Sequence, residues 1–115
     1  MKRIGMIAAA CILMLPLQGG AASLEENIAK GKKISFDGLK GNCLACHLMQ
    51  GGEMSGNFGP PLLQMKLRYP KKSVLRAQIW DSTAKNPQSI MPPFGTHGIL
   101  TNEEIDLVVD YMYSL

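Results

Sequence analysis

Cys43 and Cys46 stand three positions apart, and His47 follows at once, in the stretch CLACH. Three chemistries use such residues: a redox-active dithiol, a zinc site, or the covalent anchoring of a haem. A dithiol of the thioredoxin kind needs strand–helix–strand surroundings and a cysteine at a helix start. No run of this chain alternates in the way a strand requires. Zinc would have to recruit Cys43, Cys46, His47 and the distant His97. Adjacent Cys46 and His47 fit poorly around one tetrahedral ion, and the usual pair of closely spaced histidines is absent. Haem attachment needs what is present. Each thiol adds across one vinyl group to form a thioether, and His47 then lies under the iron as its proximal ligand. C-x-x-C-H is a far more specific pattern than C-x-x-C alone.

A histidine-bound iron takes a second protein ligand or keeps an open position. A methionine thioether stabilises ferrous iron and raises its potential. Met49 is too near His47 in sequence to reach the opposite haem face, and Met112 falls on the apolar stripe of the last helix. Met54 and Met65 flank a Gly/Pro-rich loop, where a filling role is expected. Met91 differs. It sits in SIMPPFG, far from the motif, with two prolines restricting the backbone beside it. A stiff loop loses less entropy when its sulfur is held in place. His97, six residues later, is the rival ligand. On the proximal side a ligating histidine usually donates its other N–H to a carbonyl. In GPPL the Pro60 carbonyl can take that role, and Gly59 lets the backbone come close.

These residues need elements to place them. The chain opens with Lys2 and Arg3, an apolar run from Ile4 to Leu17, and the small residues QGGAAS. That order describes a secretory signal peptide. Cleavage is expected after Ala22, with Ala21 or Gly20 as alternatives. The run is short of the ~20 residues of a spanning helix, and AAA before Cys11 lacks the large apolar residue of a lipid-attachment site. The mature domain, 23–115, then has 93 residues, with Cys43 and Cys46 as its only thiols. Its ten Lys+Arg against nine Asp+Glu give no charge argument for nucleic acid. So small a domain often needs a cofactor or another staple to complete its core.

The reading is all-α. A helix is expected over SLEENIAKGKKISFDG, started by Ser23 and Glu26 in a capping-box pattern, with Leu24, Ile28, Gly31 and Ile34 towards the core. A second is expected over YPKKSVLRAQIWDS, with Pro70 or its successor in the first turn and Val74, Leu75, Ala77, Ile79 and Trp80 on the apolar side. The last, TNEEIDLVVDYMYSL, repeats the capping box at Thr101 and Glu104 and buries Ile105, Val108, Val109 and Met112. QGGEMSGNFGPPL and TAKNPQSIMPPFGTHGI read as loops, and loops of this length are rarely idle.

GNCLACH, GPPL and a late loop methionine together resemble a class I cytochrome c. The resemblance implies N- and C-terminal helices that cross, Gly31 at the crossing with Tyr111 beside it, and one covalent haem c between Gly/Pro-rich loops. Within that class, GNFGPPL, YPKKSVLRAQIWDST, NPQSIMPPFG and LTNEEIDLVVDYMYSL are similar to the SoxX family, across nearly the whole mature chain. The segment before the first helix is shorter than that family's pattern.

The SoxX resemblance implies a periplasmic redox subunit in a heterodimer with a SoxA-type haem subunit. That complex acts as an L-cysteine S-thiosulfotransferase, coupling thiosulfate oxidatively to a cysteine of the carrier SoxYZ. A downstream acceptor takes the electrons. By this reading the chain contributes no catalytic residue of its own, because both mature thiols are used on haem. The expected ligand set is Cys43, Cys46, His47, Pro60 and Met91, with His47 and Met91 on the iron. The basic group Lys66, Arg68, Lys71, Lys72 and Arg76 could offset haem propionates, meet an acidic partner, or simply be solvated.

Overall fold

The computed structural model describes residues 22–115. The expected signal peptide and Cys11 lie outside them, apart from Ala22. Among the described residues there are four α-helices and no strands. The helices are α1 (Leu24–Phe36), α2 (Met65–Arg68), α3 (Lys72–Trp80) and α4 (Asn102–Met112). Short 3-10 turns at Cys43–Ala45 and Ser82–Ala84 punctuate the connections. No described helix is long and apolar enough to cross a membrane.

Helix α1 starts where the Ser23 hydroxyl accepts from the Glu26 amide at 3.2 Å. Glu25 and Glu26 lie at its positive end and Lys33 in its last turn, the order that complements the helix dipole. At α4 the capping box is complete: Thr101 Oγ1 accepts from the Glu104 amide at 3.2 Å, and Glu104 Oε2 accepts from the Thr101 amide at 3.0 Å. The buried face of α4 is Ile105, Val108, Val109, Tyr111 and Met112.

α1 and α4 cross with backbone against backbone. A Cβ added at Gly31 would lie 1.9 Å from the Leu107 carbonyl oxygen and 2.9 Å from the Tyr111 Cβ. No other residue type fits there without forcing the helices apart. Ser35, one turn on, is fully buried and donates to the Gly31 carbonyl at 2.8 Å. α3 packs on α4 through Leu75 and Ile79 and is fastened at its edge by ion pairs. Arg76 reaches Asp106 at 2.6 Å and Asn102 at 3.0 Å, and Lys72 pairs with Asp110. Arg68 donates to the Pro61 carbonyl at 2.6 Å. Three members of the basic group are therefore engaged inside the domain.

Four expectations need correction. Leu24 is 58% exposed, because it belongs to the first turn, ahead of the crossing. α3 begins at Lys72, so Pro70 precedes the helix. On α3 only Leu75 and Ile79 are buried; Val74 and Ala77 face outward and Trp80 is half-buried. Met54 fills nothing, being fully exposed at a loop tip, whereas Met65 is core.

Candidate functional site

The motif is a single helical turn. Asn42 enters it in the left-handed region (φ 47°), which asparagine tolerates better than most residues. The amides of Cys46 and His47 both donate to the Cys43 carbonyl, at 3.2 and 2.9 Å. Spacings of three and four within a turn put side chains on one side. Cys43, Cys46 and His47 accordingly line one cavity.

The Gly/Pro segment runs back alongside this turn. Gly56, Gly59 and Leu62 donate in order to the carbonyls of Leu44, Cys46 and Leu48, at 2.9, 2.8 and 2.8 Å. This close course depends on glycine. A Cβ at Gly59 would lie 2.2 Å from the His47 ring, and one at Gly56 would lie 1.8 Å from the Ala45 carbonyl oxygen. The result is a fixed imidazole: His47 Nδ1 lies 2.7 Å from the Pro60 carbonyl oxygen. A carbonyl can only accept, so Nδ1 carries the proton and the Nε2 lone pair is left for a metal.

The cavity measures about 630 Å³, inside the range of small-molecule and cofactor sites. Its inner wall is apolar, with Leu62, Leu75, Ile79, Phe94, Leu100 and Val108. Met91 lies in the lining, on the loop after α3. Met65 and Met112 also line it, but both are core residues at 2% exposure. Met49 and His97 do not line the cavity, and His97 is exposed. Tyr69 belongs to the lining; Trp80 does not, and packs instead against the backbone of Gly95. Lys40 and Arg68 supply its cationic side chains.

Burial pushes the Cys43 thiol up to about 11, so at neutral pH it is a thiol and not a thiolate. A reactive dithiol requires the opposite shift. Among the described residues no cluster of three or more His, Cys, Asp or Glu side chains is placed to hold a metal ion. The donors that are present suit a haem. They comprise an imidazole oriented by the Pro60 carbonyl, a thioether on a separate loop, two thiols beside the imidazole, and an apolar slot. His47 and Met91 would hold the iron and Cys43 and Cys46 the macrocycle edge. When bound, the group supplies reversible one-electron chemistry.

A helical fold whose crossing terminal helices carry a C-x-x-C-H turn into an apolar slot defines a cytochrome c domain. Comparison with known families agrees: the model for "Cytochrome C oxidase, cbb3-type, subunit III" matches residues 26–112. The chain belongs to this family, and so is a haem-binding cytochrome c domain whose role is electron transfer. It is also 36% identical over 75 residues to an "Uncharacterized lipoprotein" of Aquifex aeolicus (strain VF5). That alignment covers 64% of this chain and 36% of the relative's length.

One contributor was not visible in the sequence. Ser82 is fully buried and donates through Oγ to the Met91 carbonyl at 2.5 Å. In WDST it reads as the end of a helix, and no spacing rule ties it to residue 91.

Proposed function

We propose that this chain is a periplasmic mono-haem c-type cytochrome. In this reading it is exported by a cleaved signal peptide, Cys43 and Cys46 would attach one haem c, and His47 and Met91 would hold its iron. The observation that carries the proposal is the meeting of His47, its ring oriented by the Pro60 carbonyl, with Met91 in the lining of one apolar cavity. His47 and Met91 then have separate tasks. The carbonyl of Pro60 keeps the imidazole in one tautomer and raises its basicity. The soft sulfur of Met91 favours the ferrous state and raises the potential. The apolar wall would limit the access of water to a bound iron.

Within this class the best-supported role is that of a SoxX-type subunit in complex with a SoxA-type haem subunit. Support comes from LRAQIWD together with MPPFG, and from the use of both mature thiols for haem attachment. Coupling thiosulfate to a carrier cysteine forms one S–S bond and releases one proton and two electrons. The sulfur chemistry needs a reactive sulfur, which this chain lacks once its haem is attached. The chain would relay the electrons, one at a time, to a downstream acceptor. A free-standing electron shuttle is the alternative.

Two measurements test the proposal. The oxidised protein should show a methionine–iron charge-transfer band that disappears in Met91→Ala. A band that survives this change rules out Met91 as ligand. Co-expression with the SoxA-type subunit should give a stable heterodimer. A chain that stays monomeric beside that subunit is the free shuttle.

A further inference from the structure

Pro92 and Pro93 follow Met91, so two successive backbone positions have no N–H with which to anchor the loop. The polar holds on this residue must come from elsewhere, and they come from two hydroxyls. Ser82 Oγ donates to the Met91 carbonyl at 2.5 Å, and Ser89 Oγ accepts from the Met91 amide at 3.2 Å. Ser82 is 0% exposed, so its hydroxyl has no recourse to water if this bond is lost. Its own position is set by α3 and by Asp81, whose carboxylate accepts from the Thr83 amide at 2.9 Å in the turn carrying Ser82. Further along the loop, the amides of Gly95 and Thr96 donate to the Trp80 carbonyl at 3.0 and 3.3 Å. The C-terminal residue of α3 and the turn that follows it thus grip the methionine loop at two separate points.

We infer that Ser82 and Ser89 are positioning residues that clamp both sides of the Met91 backbone and so hold its sulfur towards the cofactor. This rests on Met91 being the distal ligand. Ser82 does not line the cavity, whereas Ser89 does. Ser82 acts through the Met91 carbonyl alone.

The clamp is tested on the haem-loaded protein by titrating the oxidised form with imidazole and following the visible spectrum. Imidazole must displace the methionine to bind, so its affinity reports how firmly the sulfur is held. Removing one hydrogen bond corresponds to roughly a tenfold change in an equilibrium. Ser82→Ala should therefore bind imidazole about tenfold more tightly, and Ser89→Ala, which loses the longer bond, about threefold. Thr101→Ala, which weakens the distant start of α4, should leave the affinity at the wild-type value. Wild-type affinity in Ser82→Ala overturns the clamp, and so does an equal rise in Thr101→Ala, which would mean general loosening. If Ser82→Ala yields no folded holoprotein, Ser89→Ala carries the test, and no rise there overturns the clamp. Met91→Ala separates the two ideas. If it binds imidazole no better than wild type, Met91 is not the ligand and the underlying assignment fails instead.

Discussion

The two segments that line the cavity hold their key residues by different means. In residues 43–62 the work is done by backbone. One helical turn presents Cys43, Cys46 and His47, and a glycine-dependent strap returns beside it to place the Pro60 carbonyl on the imidazole. The strap's backbone partners all lie within residues 43–62, and the Arg68 side chain adds one hold from outside, on the Pro61 carbonyl. In residues 82–100 the attachment of the loop depends on side chains and on the end of α3. Ser82 and Ser89 hold Met91, and the Trp80 carbonyl holds Gly95 and Thr96. The first arrangement is local and has little freedom to relax. The second depends on how α3 is seated and can loosen in steps.

Glycine substitutions test this contrast most sharply. Gly59→Ala puts a Cβ 2.2 Å from the His47 ring, in a strap whose backbone cannot retreat. It should give the largest effect, a near-complete loss of haem-loaded protein, read from the haem absorbance per chain. Gly95→Ala makes an equally short contact, 2.1 Å, but with the half-buried Trp80 ring, which can turn aside. It should keep its haem and show a weakened methionine band. Equal losses of haem in the two variants would erase the distinction between a rigid and a yielding side.

Gly31→Ala should lower the stability of the whole domain without favouring either side, because it forces apart the crossing helices α1 and α4. Overpacking a fixed backbone contact costs about 3 kcal/mol, more than the helix propensity of about 1 kcal/mol that alanine returns. Chemical denaturation should show the loss, with the haem spectrum of the remaining folded protein unchanged. A spectrum that changes with stability would mean that the site is not insulated from the helix frame.

The smallest effect concerns pH. The Lys40 ammonium, with the Thr101 amide, holds the Glu104 carboxyl below the ordinary glutamate range. A carboxyl lowered on folding contributes stability above its unfolded value and loses it as pH falls through the folded one. Glu104→Gln should therefore lose less thermal stability on acidification than the wild type does. Lys40 lies at the start of the motif side and Glu104 on α4, so this pair ties the rigid segment to the frame. The pair is partly exposed, so salt should shrink the difference.

Much of the frame was legible in residues 23–115. Ser23 and Thr101 cap the two terminal helices, and Ile105, Val108, Val109 and Met112 are buried as their spacing implies. These features follow from neighbours three and four positions apart, which a linear reading sees directly. The start of α3 and the exposure of Val74, Ala77 and Leu24 were less legible. They depend on which face of an apolar segment meets another helix, and periodicity alone does not choose when the segment is short.

The same division runs through the site. By itself the sequence determined that two thiols and an imidazole share one turn, that a carbonyl follows after a glycine, and that a methionine stands on a proline-stiffened loop. Each of these is a property of adjacent residues. Only the tertiary structure decided that Met91 lines the same cavity as His47, while His97 does not. It also decided that Lys72 and Arg76 fasten α3 to α4, and that the buried Ser82 hydroxyl meets the Met91 carbonyl. Those outcomes turn on how α3 packs against α4, a long-range contact that brings residues together without leaving any spacing in the sequence to mark them.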